Sequence, residues 1–162
     1  MRILIVDDSK CVLMTLRCKL EDLGHEVLTA ADGMQAWDLL QADPVRLIIT
    51  DWMMPNLSGL DLCRQVRAKG LDPYTYVVLL TSKQLRKDEL EGLDAGADDF
   101  LVKPVDIIEL KIALARAKRI LDALGTLEER VEELRSRDAG PVMTTMPAYR
   151  ASSAPHFAGR LG

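Results

Sequence analysis

The stretch "LIITDWMMPNLSG", residues 47–59, runs a short apolar segment into a single carboxylate, Asp51, and then into a bulky loop stopped by Pro55. A buried strand that ends on an acid is unusual, and the rest of the chain explains it. Apolar runs of the same length recur at "ILIV" (3–6), "VLTA" (27–30), "YVVLL" (76–80) and "FLV" (100–102). Helical patterns lie between them. "CVLMTLRCKLEDL" sets Val12, Leu16, Leu20 and Leu23 on one face, and "MQAWDLLQA" is opened by the Asp32-Gly33 turn. Gly24, Gly70 and Gly96 each fall just past a helical stretch, where a left-handed cap is wanted. Strands that alternate with helices in this way predict an α/β domain, a parallel sheet with helices on both faces. The runs "ILIV", "LIIT" and "VVLL" read as buried on both sides, whereas the more alternating "EVLTA" places the second strand at an edge.

A chain of 162 residues has room for one ordinary domain and an appendage. With 48% hydrophobic and 28% charged residues it has the composition of a soluble globular protein, and no apolar run approaches the ~20 residues that span a bilayer. The opening "MRILIVDD" carries acids where an export signal needs its apolar core, so the expected location is the cytoplasm. A net charge of -4 and a pI near 5.2 argue against nucleic acid as a direct partner. Cys11, Cys18 and Cys63 show no metal-ligand spacing. At ~1.5 Å rise per residue, Cys11 and Cys18 lie too far apart on one helix for a disulfide, so all three are expected to be reduced packing residues.

In open parallel sheets ligands bind beyond the carboxyl ends of the strands. Those positions hold Asp7 and Asp8 after the first strand, Asp51 after the third, Thr81 after the fourth and Lys103 after the fifth. Each has an ordinary explanation on its own: Asp8 or Ser9 could cap the next helix, Thr81 the fourth helix, and Lys103 could be solvated. Together they put three carboxylates, a hydroxyl and an ammonium on one rim, which independent capping does not predict. Crowded carboxylates repel unless a cation intervenes. Mg²⁺ accepts one or two carboxylates and keeps water and phosphate oxygens as further ligands, which suits phosphoryl chemistry. Zinc is disfavoured, because neither His25 nor His156 joins the cluster and the cysteines lie elsewhere. Asp51 is then the candidate nucleophile, and Lys103 the group that neutralises the transferring phosphoryl.

At this point the sequence resembles the receiver domains of two-component response regulators, over about residues 1–122. The resemblance is carried by "ILIVDDS" (3–9), "LIITDWMMPNLSGLDLCRQVR" (47–67), "VVLLTS" (77–82) and "GLDAGADDFLVKP" (92–104). It implies a flavodoxin-like, doubly wound five-stranded sheet of order 2-1-3-4-5, the order the chemotaxis receivers show. It implies that Asp51 is the phosphoacceptor, with a histidine kinase or phosphotransfer protein as donor. It also implies Mg²⁺, or Mn²⁺ in its place, on Asp8, Asp51 and the backbone carbonyl of Met53, with Asp7 acting mainly through water. Lys103 would pair with the phosphoryl group, Pro104 would follow a cis peptide, Thr81 would be the switch hydroxyl and Phe100 the switch aromatic. The face made by the fourth helix, fifth strand and fifth helix would then change on phosphorylation.

Ser82 stands where the family usually has a small apolar residue, and it is small enough to fit. The family's two dephosphorylation-tuning positions are Met53 and Lys83 here. Apolar Met53 cannot orient an attacking water, so slow self-hydrolysis is expected. Such a domain is a signalling switch, an enzyme only toward its own phosphorylation and dephosphorylation. The rival readings are a phosphorylation-independent scaffold, which typically lacks part of the cluster, and an aspartate-nucleophile phosphohydrolase, which wants a second acid where Met53 stands.

The fifth helix is expected from about Asp106, with Ile107, Leu110, Leu114, Ala117 and Leu121 covering the sheet. A second stripe, Leu110, Ala113, Ala117, Ile120, Leu124, Leu127, Val131 and Leu134, alternates by three and four and outruns the domain. It predicts a helical, coiled-coil extension over 123–137 and a homodimer. Receivers resembling this one use such helices to feed diguanylate cyclase, phosphodiesterase or phosphatase output domains. Gly125 argues for a break, with Thr126 and Glu129 able to cap a separate helix. Residues 138–162, rich in Ala, Gly, Pro and Ser, are expected to be disordered.

Overall fold

The strands form where the apolar runs predict them: β1 Arg2–Val6, β2 Glu26–Ala30, β3 Leu47–Asp51, β4 Tyr76–Thr81 and β5 Asp99–Val102. A computed structural model describes residues 1–70, 73–82 and 89–138, with the backbone alone at 89, 90 and 138. All strand pairs are parallel and the sheet order is β2-β1-β3-β4-β5. Edge strand β2 is partly exposed along most of its length, whereas β3 and β4 are buried throughout. Asp51 and Thr81 are the last residues of their strands rather than the first of the following loops, because both still pair with β4 or β5 neighbours.

The period-two alternation of strands divides the core. Ile3, Ile5, Leu47, Ile49, Val78, Leu80 and Leu101 face α1 (Lys10–Asp22) and α5 (Ile107–Asp138), where Leu16, Leu20, Leu110, Leu114, Ala117 and Leu121 cover them. Leu4, Val6, Ile48, Val77 and Leu79 face the opposite layer, which includes α2 (Gly33–Ala42) and α3 (Gly59–Lys69). A short α4 (Glu89–Asp94) precedes β5. Ser9, Asp32 and Ser58 cap α1, α2 and α3 through their side-chain oxygens. Gly24, Gly70 and Gly96 take the positive φ expected of them.

Helix α5 runs unbroken through Gly125 to Asp138. The glycine costs about 1 kcal/mol relative to alanine, too little by itself to end a helix of 32 residues. Thr126 is therefore no cap: its hydroxyl donates to the Asp122 carbonyl one turn back, at 3.0 Å. Leu110, Ala113 and Ala117 are consumed by the sheet, so the free part of the long seam is shorter than the sequence pattern suggests. It comprises Ile120, Leu127, Val131 and Leu134, all exposed, with Leu124 half-buried. Cys63 is a buried packing residue as expected, but Cys11 and Cys18 lie exposed on α1, a correction to their reading as core. The predicted tail over 138–162 falls, beyond Asp138, outside the described residues, as do Lys83 and His156.

A polar network ties α3 to β4 and β5. Arg67 donates from Nη2 to Asp98 Oδ2 at 2.6 Å, from Nη1 to the Thr75 carbonyl at 2.7 Å and from Nε to the Gly96 carbonyl at 2.8 Å. Asp98 also accepts from Tyr74 Oη at 2.6 Å and from the Val77 backbone at 2.7 Å. Burial, seconded by the bond to Asp98, pushes the Tyr74 phenol up to about 12. The two ion-pair side chains are 24% and 18% exposed, so removing one strands the other's charge in low dielectric. Arg67→Ala is expected to lower the unfolding free energy by about 3 kcal/mol, read from urea denaturation; a cost below about 1 kcal/mol, the range of an exposed pair, would count against the network.

Candidate functional site

Strand phase builds the site. Asp7, Asp51 and Lys103 continue the alternation of Ile3 and Ile5, of Leu47 and Ile49, and of Leu101, and so lean toward the α1/α5 side of the sheet. There the Lys103 ammonium lies 2.7 Å from Asp7 Oδ2 and 2.9 Å from Asp51 Oδ1. Asp7 is fully buried and Asp51 9% exposed. Asp8 is exposed, yet one oxygen from each of Asp7, Asp8 and Asp51 lies within 4.8 Å of the others.

The oxygens differ in what they have left to offer. Asp7 spends one on Lys103 and the other on the Ser9 backbone N–H, at 2.8 Å. Asp51 bonds Lys103 through Oδ1 alone, and among the described residues the Asp8 side chain takes part in no hydrogen bond or ion pair. Asp8 and Asp51 are thus the carboxylates that, among the described residues, keep an oxygen without a side-chain partner. Three acids against one ammonium leave, among the described residues, two uncompensated negative charges in a cluster open to solvent through Asp8, a donor set that fits a hard divalent cation such as Mg²⁺.

Burial raises the Asp51 carboxyl above the ordinary range; Lys103 works against this by hydrogen bond and charge, and Asp7 adds to it. Burial alone would lower the Lys103 ammonium, but its bonds to Asp7 and Asp51 outweigh that and raise it, so it stays charged. The peptide from Lys103 to Pro104 is cis, as expected. A cleft of about 400 Å³ between α1 and the segment after β5 opens beside Lys103, lined in part by Cys11, Thr15, Lys19 and Pro104.

Thr81 belongs to the opposite strand phase, with Val77 and Leu79. Its buried hydroxyl donates to the neighbouring Ser82 carbonyl at 3.1 Å and, among the described residues, makes no hydrogen bond to the carboxylates. Phe100 pairs with Leu79 across β4 and β5, so it shares the Thr81 side of the sheet. The Met53 side chain is 65% exposed and makes no part of the core.

Sequence reasoning missed Trp52. This residue follows Asp51, is 6% exposed and stacks at a tilt on Phe100, ring centroids 6.4 Å apart. Its place beside Asp51 was visible, and strand phase would have turned it to the Phe100 side. Gly59, which with Pro55 is expected from the sequence to shape the return to α3, does so by a close approach the sequence does not show. A side chain there would collide with the Asp51 carbonyl at 1.9 Å, so only glycine lets the start of α3 pass behind Asp51.

Residues 3–115 match the family model of the response regulator receiver domain, and the chain belongs to that family, a signalling domain of two-component systems. Among curated relatives, response regulator MprA of Mycobacterium avium is 42% identical over 121 residues, 75% of this chain and 51% of that protein. The chain thus spans about half the length of the curated relatives it matches. Among solved structures, chemotaxis protein CheY4 of Vibrio cholerae is similar at a TM-score of 0.67 and 34% identity, covering 72% of this chain and 97% of that one. The receiver domain of sensor histidine kinase PA1611 from Pseudomonas aeruginosa, solved with a magnesium ion in its active-site cleft, has a TM-score of 0.65 and 31% identity, covering 71% of this chain and 94% of that one.

Asp8→Ala is expected to weaken Mg²⁺ binding at least tenfold, as followed by the fluorescence of adjacent Trp52. Because Asp8 is exposed and its charge adds to that of Asp7 and Asp51, the metal-free urea midpoint should rise rather than fall. An unchanged affinity would remove Asp8 from the ligand set.

Proposed function

We propose that the chain is a phosphorylation switch whose acceptor is Asp51. The observation that carries this function is the Lys103 ammonium placed 2.7 and 2.9 Å from Asp7 and Asp51, with an oxygen of exposed Asp8 within 4.8 Å of theirs. Asp51 Oδ attacks the phosphorus of a phosphohistidine on a histidine kinase or phosphotransfer protein. The P–N bond breaks, and its electron pair leaves with the imidazole. Asp8, Asp51 and the Met53 carbonyl would hold Mg²⁺, with Asp7 acting mainly through water, and the bound ion would supply charge neutralisation to the transferring oxygens. Lys103 exchanges its bond to Asp51 for one to the new phosphoryl group.

Thr81 gives up its bond to the Ser82 carbonyl and donates to a phosphoryl oxygen, drawing the start of the β4–α4 connection toward the site. Phe100, on the same side of the sheet, follows into the space this vacates. The surface of α4, β5 and α5 changes in consequence, and there the exposed Leu93, Ile108 and Ile112 await a partner. The receiver proper is residues 1–122; residues 123–137 are a helical extension that pairs with a second copy. Burying Leu127, Val131 and Leu134 there contributes at most about 1.5–3 kcal/mol each. Neither nucleic acid nor membrane is a direct partner; no helix among the described residues is long and apolar enough to cross a bilayer.

Incubation with Mg²⁺ and a small acyl phosphate should add one phosphoryl group, detected by mass and lost in Asp51→Asn. Turnover of donor with no adduct would indicate a hydrolase, and inertness a scaffold. Met53→Asn should shorten the phosphoryl lifetime several-fold, since an amide can orient water where a thioether cannot; an unchanged lifetime removes Met53 from the control of hydrolysis. Sizing of the chain before and after deletion of residues 122–162 should convert a dimer to a monomer, and a monomer throughout would refute the paired extension.

A further inference from the structure

Gly92 lies in α4, buried, where a helix has no conformational need for glycine and where alanine would serve the backbone better by about 1 kcal/mol. The reason is its neighbours. A methyl group built there would lie 2.6 Å from Phe100 Cε1, 2.9 Å from Phe100 Cζ and 2.9 Å from Trp52 Cζ3. Carbon atoms do not approach so closely, and both ring edges belong to stiff groups packed on each other at 6.4 Å. The α4 backbone therefore rests directly on the edges of two aromatic rings, one of them joined by a peptide bond to Asp51.

We propose that Gly92 is the positioning residue for Phe100: Trp52, Phe100 and Gly92 form one packing unit, and the half-buried Phe100 in this seat excludes any side chain at position 92. Either the ring leaves its seat or α4 moves off by about the missing ångström. The place of α4 on the sheet is thereby tied to the rotamer of Phe100. This deepens the switch function given above and rests on it for the role of Phe100, though not for the packing unit itself.

The test is a double-mutant cycle in the 162-residue chain carrying Trp37→Phe, which leaves Trp52 as its sole tryptophan. Gly92→Ala, Phe100→Ala and the double variant are compared by urea midpoint and by iodide quenching of Trp52. With Phe100 present, Gly92→Ala should either lower the midpoint or raise the quenching constant several-fold as the ring vacates its seat. In the Phe100→Ala background the same substitution should do neither, and the better helix former should raise the midpoint. Should Gly92→Ala alone fail to fold, recovery of folding in the double variant supports the unit. Additive effects in both measurements overturn it. Acyl phosphate then separates the two layers of the proposal: a quenching change in the parent protein on phosphorylation ties the unit to the switch. Coupling in the cycle without that change leaves the unit standing and removes Phe100 from signalling.

Discussion

The contact on which the molecule depends is one ammonium group shared by two carboxylates. Asp7 is wholly buried, and an unpaired buried carboxylate costs several kcal/mol. Lys103 prevents that at 2.7 Å, and the same nitrogen reaches Asp51 at 2.9 Å. In the order β2-β1-β3-β4-β5, the lysine follows β5, and its two acids follow β1 and close β3, on the far side of β4. At about 4.8 Å between neighbouring strands, β5 and β3 are roughly 10 Å apart. A long side chain helps to span this distance, and the Lys103 backbone N–H, bonded to the Thr81 carbonyl at 2.8 Å, holds its start against the end of β4. The register of the sheet and the charge balance of the site are therefore one requirement.

Strand alternation divides the rim into two compartments with different work. Asp7, Asp51 and Lys103 lean one way and hold the charge; Thr81 and Phe100 lean the other way and touch packing. The Asp51–Trp52 peptide joins them. In the proposed switch, new charge on the first side would reach the second through hydrogen bonding by Thr81, since a close-packed sheet does not deform continuously. Trp52 and Gly92 would then give Phe100 a defined place to be, so that its movement has two states rather than a range.

Much of this was legible in the residues. Apolar runs of strand length give β1 to β5 within a residue or two at each end, and the polar residue closing each run names Asp7, Asp51, Thr81 and Lys103. What the pattern did not convey was contact between distant segments. The Arg67–Asp98 pair joins residues 31 positions apart, and nothing local marks either as other than surface charge. Gly92 reads as a weak spot in a helix until Phe100 is brought against it. Gly125 reads the same way, yet there a methyl group would meet only Arg46 Nη1 at 3.5 Å, an ordinary contact, and the helix continues. Cys11 and Cys18 were misread because a helix with one buried stripe does not declare how wide that stripe is.

Strand β3 shows why a signal from Asp51 must travel around the domain rather than through it. Asp51 closes the strand; just before its other end, Arg46 approaches α5 at Gly125 and Glu128, 3.8 Å from the Glu128 carboxylate. The two ends are about 17 Å apart at 3.3 Å per residue. Every residue between them is buried and paired on both sides, to β1 and to β4. Sliding such a strand would break both ladders and leave its side chains out of phase with two cores, a cost far above what one new phosphoryl contact contributes. The acceptor and the base of the α5 extension are therefore fixed relative to each other. What can change is the periphery, where α4 rests on two rings with no side chain of its own between, and where α5 still presents Ile108 and Ile112 uncovered.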